Sequence, residues 1–190
     1  MFLRRLLAVT AGLAAAALCV ALGVIAAHTV VSTSTAESPP KTSAEALTAT
    51  PQPVPAPPLE TTTVEGETFE LVAYLGRGVV INFWATWCAP CIEEMPDLDR
   101  AAAALAPDDV VVVGVNVGET PSTIARFLER HPVDFPILLD PEGTIGDRWQ
   151  LIGMPTTFLV NTQGQVEEVI TGIRPWDEPE MLARLRRLGE

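Results

Sequence analysis

Residues 79–91 read VVINFWATWCAPC. An apolar run rich in β-branched and aromatic side chains leads straight into two cysteines spaced by two residues, with a proline between them. A continuous run of this kind is the pattern of a strand covered on both faces. Past Pro90 the period changes. Ile92, Met95, Leu98, Ala102 and Leu105 recur at three- and four-residue steps, which predicts a helix. The pair Cys88 and Cys91 is therefore expected where a buried strand ends and a helix begins. That one junction constrains both the architecture and the chemistry.

The rest of the second half supports a layered α/β domain over residues 60–190. Thr61–Val64 and Glu67–Leu71 flank Glu65-Gly66 and read as a hairpin. Val110–Val117 is a second buried strand. Pro121–Arg130 reads as a helix with Thr120 as its N-cap and Pro121 at its first position. Phe135–Leu139 is a short strand and Gly143–Gln150 a short helix. Thr156–Val160 and Val166–Thr171 are strands joined by the turn residues Asn161 to Gly164, and Asp177–Leu188 is an amphipathic closing helix. Parallel crossovers mixed with hairpins imply a central mixed sheet with helices on both faces.

The first sixty residues differ in kind. Arg4 and Arg5 precede Leu6–Ala27, 22 residues without a charge. As a helix that run spans about 33 Å, enough to cross a bilayer core. Residues 1–31 are expected to be a transmembrane anchor, with a cleaved signal peptide as the alternative. The two arginines favour a cytoplasmic N-terminus and an exported remainder. Residues 32–59 contain seven prolines and almost no large apolar side chains. They read as a disordered, partly polyproline II spacer.

Charge and ligand inventory exclude several functions. The formal net charge of −12 argues against nucleic-acid binding, which needs a Lys/Arg footprint. A zinc site needs about four ligands. Outside residues 1–31 the cysteines and histidines on offer are Cys88, Cys91 and His131. A c-type haem site needs a histidine after the second cysteine, and Ile92 stands there. No metal and no cofactor is expected. A structural staple closing so short a loop would constrain the unfolded chain little. A redox-active dithiol fits best. At a helix start, free N–H groups and the helix dipole favour a thiolate on Cys88, while Cys91, one turn on, suits the resolving role.

The stretches NFWATWCAPCIEEMP and GMPTTFLVNTQG, with the spacing between them, resemble the thioredoxin superfamily. More narrowly they are similar to the TlpA/ResA/DsbE group of membrane-anchored thiol–disulfide oxidoreductases. The likeness spans about residues 60–190 and includes Pro96, five residues beyond Cys91. It implies a thioredoxin-like fold, Cys88 as attacking thiol, Cys91 as resolving thiol, and a cis Met154–Pro155 bond facing them. It places Trp87, Pro90, Met154, Pro155 and Thr156 at the substrate. It implies a disulfide-containing exported protein as substrate, apocytochrome c among the candidates, and a membrane thiol-electron donor. Ordinary thioredoxin carries an aspartate where this chain has Asn82, and an amide cannot exchange protons. Glu94, three residues after Cys91 on the same helical face, is the expected modulator of the thiols. Glu93 is expected to face water. Trp87 is expected to shield the dithiol and Trp84 to pack in the core. The alternatives are a disulfide-donating oxidase on the same fold and a non-enzymatic thiol metal-binding module. No Pro-x-x-x-Thr-x-x-Cys pattern precedes Cys88, which weighs against a peroxidase.

Overall fold

The computed structural model describes residues 53–190. The expected membrane segment, 1–31, and residues 32–52 of the expected spacer lie outside the described residues. Among the described residues no helix is long and apolar enough to cross a membrane.

The centre of the domain is β4 (Gly78–Trp84), every residue of which is buried. It pairs in parallel with β5 (Val110–Val117), which pairs in parallel with β6 (Ile137–Asp140). On its other side β4 runs antiparallel to β7 (Thr156–Val160), and β7 to β8 (Gln165–Thr171). The two-residue strand β1 (Val54–Pro55) closes that edge against β8, which completes a six-stranded mixed sheet. Helices α1 (Ala89–Leu105), α2 (Pro121–Leu128), α3 (Thr144–Arg148) and α4 (Pro179–Arg186) complete the layers. The arrangement is thioredoxin-like, as the resemblance implies.

Alternation along β4 creates two cores. Val80 and Trp84 face α1, α2 and α4, meeting Met95, Leu98, Ile124, Phe127 and Leu185. Val79, Ile81 and Phe83 face the other way, toward Phe69, Ile145, Trp149 and Phe158. Phe83, Trp149 and Phe158 form a tilted and edge-to-face cluster there, with the Trp149 and Phe158 ring centroids 4.9 Å apart.

The N-terminal hairpin is present but shorter than expected, with β2 (Glu60–Thr62) against β3 (Thr68–Glu70). The spacer boundary needs a correction. Residues 54–59 are part of the domain: the Ala56 N–H donates to the Gly164 carbonyl at 2.9 Å, and Leu59 is buried. Polyproline II and extended β geometry are neighbours in dihedral space. Proline is tolerated on a sheet edge, so a Pro-rich segment can lie along β8 without a full ladder.

Candidate active site

Strand β4 delivers Ala85–Trp87 to the start of α1, and Cys88 is the N-cap of that helix. Its sulfur accepts the backbone N–H of Cys91 at 3.3 Å, the geometry by which an N-cap satisfies a free helix N–H. Pro90 lies in the first turn, where its missing N–H costs nothing. Cys88 and Cys91 are joined by a disulfide with their Cα atoms 5.3 Å apart. Cys91 is sealed in the core and Cys88 is 5% exposed, so only one residue of the pair has any access to solvent.

A second loop, from the other half of the sheet, leads into β7 beside the end of β4, where Phe83 pairs with Thr156. Met154–Pro155 is a cis peptide bond, as the resemblance implies. Met154 packs against the same apolar cluster that contains both cysteines. The Thr156 hydroxyl donates to the Gly153 carbonyl at 2.8 Å, and the Gly172 N–H donates to the Pro155 carbonyl at 2.9 Å. Thr156 is thus buried with its hydroxyl engaged, and it shapes the loop from within rather than offering a side chain to a partner. A Cβ added at Gly153 would meet nothing within 4 Å, so the space over this loop is open. Ile152 beside it is 93% exposed.

Glu94 is buried on the inner face of α1, while Glu93 faces water as expected. Asn82 Nδ2 donates to Glu94 Oε1 at 2.9 Å, and Trp176 Nε1 to Oε2 at 2.8 Å. Burial raises the Glu94 pKa above the ordinary carboxylate value. The hydrogen bonds from Trp176, Asn82 and the Arg174 backbone, with the Arg174 charge, oppose that rise without cancelling it. Asn82 occupies the position expected from the sequence, and its role there is to hold the neighbouring acid.

Two expectations fare differently. Trp84 is core packing, 1% exposed. Trp87 is 70% exposed, so most of its surface faces solvent. Sequence reasoning missed Trp176, Arg174 and a brace on the loop itself. Glu119 accepts the Thr86 backbone N–H at 2.6 Å, the Thr86 hydroxyl, and Asn116 Nδ2 at 2.9 Å. A Val-Asn-Val-Gly-Glu stretch at the end of a parallel strand was the available signal, since that end of a sheet is where sites gather.

A disulfide at the N-terminus of the first long helix, with a cis-proline leading into the strand beside β4 on a thioredoxin-like sheet, defines the class of thioredoxin-fold thiol–disulfide oxidoreductases. Residues 54–169 match the AhpC/TSA family, and the chain belongs to it. It is 37% identical over 117 residues to the thiol-disulfide oxidoreductase ResA of Geobacillus kaustophilus (strain HTA426), a match covering 62% of this chain and 67% of that protein. It is 38% identical over 107 residues to ResA of Bacillus subtilis (strain 168), covering 56% of this chain and 60% of that protein. Among solved structures it is similar to StoA from Bacillus subtilis, with a TM-score of 0.59, 28% identity, and coverage of 72% of this chain and 98% of that one. It is also similar to a thiol:disulfide interchange protein of the thioredoxin family from Chlorobium tepidum TLS, with a TM-score of 0.63, 26% identity, and coverage of 71% and 97%. These relatives support the ResA/DsbE-like grouping.

Proposed function

We propose that this chain is an extracytoplasmic protein thiol–disulfide oxidoreductase that works as a reductase. The observation that carries the reading is the asymmetry of the pair: a slightly accessible Cys88 at a helix N-terminus, backed by a sealed Cys91 with buried Glu94 one turn further on. In the forward cycle the Cys88 thiolate attacks one sulfur of a partner disulfide. That bond breaks, one partner sulfur leaves as a thiolate, and a mixed disulfide forms. Cys91 then loses its proton and attacks Cys88 Sγ, which releases the second partner sulfur. Two electrons pass to the partner, whose thiolates take up protons, and the Cys88–Cys91 disulfide remains. Glu94 modulates the thiol pKa values, and its raised pKa makes it a better holder of the Cys91 proton than an ordinary carboxylate. Met154, Pro155 and exposed Trp87 and Pro90 form the docking edge. Pro155 has no N–H of its own, which leaves the loop before it free to meet an extended peptide.

The N-terminal segment 1–31 is read as an anchor and residues 32–52 as a spacer, which put the domain outside the cytoplasmic membrane. Electrons then come from a membrane thiol donor. The likeness to the ResA group supports the haem-binding cysteine pair of an apocytochrome c as a substrate. Equilibration of the domain against glutathione tests the direction. A potential at or below about −270 mV fits a reductase, and one near −120 mV makes the chain a disulfide donor.

A further inference from the structure

The Glu94 carboxylate is held by three N–H groups from two directions. Asn82 Nδ2 reaches Oε1 at 2.9 Å and also donates to Thr157 Oγ1 at 2.9 Å. Oε2 takes the Trp176 indole at 2.8 Å and the Arg174 backbone N–H at 3.3 Å. An indole N–H and a backbone N–H only donate, and a carboxylate oxygen accepts at two lone pairs. Both sites on Oε2 are therefore filled by groups that cannot accept a proton. Oε1 keeps one site free. Trp176 is fully buried and lies 82 residues along the chain from Glu94. Nothing in packing alone requires a donor there, since a phenyl ring would fill much of the same space. The loop that carries it, 172–176, begins with the Gly172 N–H on the Pro155 carbonyl. One short segment thus ties the cis-proline loop to the buried acid.

We propose that Trp176 is a positioning residue for the redox pair: with the Arg174 N–H it holds Glu94 Oε2 as a permanent acceptor, so that the Glu94 proton comes and goes at Oε1. This rests on the reading of Glu94 as the group that tunes the thiols. The charged and titratable groups around Glu94 are few. Cys88 and Cys91 share its helix, and Arg174 borders it from the loop after β8. Strands β4 and β7 present neutral Asn82 and Thr157. Asp177, next to Trp176, is engaged by Arg100 of α1 at 2.7 Å.

Two measurements on Trp176→Phe test it separately. In the oxidised protein, where neither cysteine titrates, the Glu94 carboxyl carbon is followed by NMR against pH. Loss of a hydrogen bond to the charged form should move its midpoint up by about one pH unit or more. An unchanged midpoint overturns the proposal. In the reduced protein, the pH profile of thiol alkylation should shift in Trp176→Phe but not when Trp176→Phe is added to Glu94→Gln. A shift that persists in the Glu94→Gln background overturns the proposal, because Trp176 would then act by another route. An alkylation profile that Glu94→Gln itself leaves unmoved strikes the underlying reading of Glu94, whatever the carboxyl titration shows. If the phenyl variant fails to fold, a benzothienyl analogue at 176, with sulfur replacing the ring N–H, keeps the shape and gives the same two readouts.

Discussion

Glu119 holds Thr86 at two points, accepting its backbone N–H at 2.6 Å and its hydroxyl. Thr86 lies two residues before Cys88, so this carboxylate fixes the loop from which the dithiol hangs. A third donor, Asn116 Nδ2, orients the carboxylate from β5. Hydrogen bonds to a charged group are worth about 1.5–3 kcal/mol each, and their loss leaves the partners short of an acceptor. Glu119→Ala should cost about 1–3 kcal/mol in urea unfolding. It should slow exchange with a protein disulfide more than reaction with a small alkylating agent, since only the former needs the whole loop in place. Equal slowing of both would remove the bracing role.

The start of β4 is closely packed. A Cβ built on Gly78 would lie 2.7 Å from Leu188 Cβ and 2.8 Å from the Leu188 carbonyl carbon. The second of these is backbone and cannot swing away. Gly78→Ala should destabilise the domain by about 1–3 kcal/mol through overpacking. Redox chemistry should persist in whatever fraction stays folded, because the clash lies at the opposite end of β4 from Cys88. Calorimetry paired with an insulin-type exchange assay separates the two effects.

What could be read before the fold was known follows a physical rule. Strands β5 and β7 begin and end where the apolar patterns do, because a buried strand shows itself in every residue. The Thr120 cap on α2 was legible for a similar reason: the Thr123 N–H bonds a side chain three residues away. The pairs Trp176–Glu94 and Glu119–Thr86 were not, being 82 and 33 residues apart. A hydrogen bond between single polar atoms at such distances leaves no period in the chain. Residues 54–59 were misassigned because proline content describes an average conformation, while the contact of Leu59 with the core depends on where one edge strand lies.

Trp87 is 70% exposed beside a pair of cysteines that are almost wholly buried. A large apolar ring on the surface costs little stability to remove, so Trp87→Ala should unfold within about 0.5 kcal/mol of the parent. Aromatic side chains are prominent among residues that anchor protein contacts. The variant should therefore exchange more slowly with protein disulfides, through a raised KM, and react normally with glutathione disulfide. A normal KM with protein substrates would show that the ring plays no part in docking.

Because Cys91 is sealed and Cys88 is not, the two cysteines should fail in different ways. Cys88→Ser removes the attacking sulfur and should abolish exchange. Cys91→Ser leaves attack intact but blocks resolution, and should accumulate mixed disulfides that run as high-mass bands on non-reducing gels and vanish with dithiothreitol. Trapped species with Cys88→Ser and none with Cys91→Ser would reverse the assigned roles.

Buried Glu94 makes stability depend on pH in a definite direction. Its folded pKa lies above the ordinary value of 4.5, with burial as the largest cause. Between 4.5 and the folded value the native state holds a proton that the unfolded chain has released, so stability falls as pH rises through that window. The contribution is full below 4.5 and lost above the folded pKa. Asp177 behaves oppositely: Arg100 depresses its pKa, so its contribution is lost only as the pH falls through that depressed value. Urea unfolding of the oxidised protein across pH 2 to 8 reads both groups free of thiol titration. Glu94→Gln should flatten the decline above 4.5 and leave the acid limb unchanged. A decline of the same slope in the variant would mean that some other group carries the proton, and that the three N–H donors keep Glu94 ionised throughout.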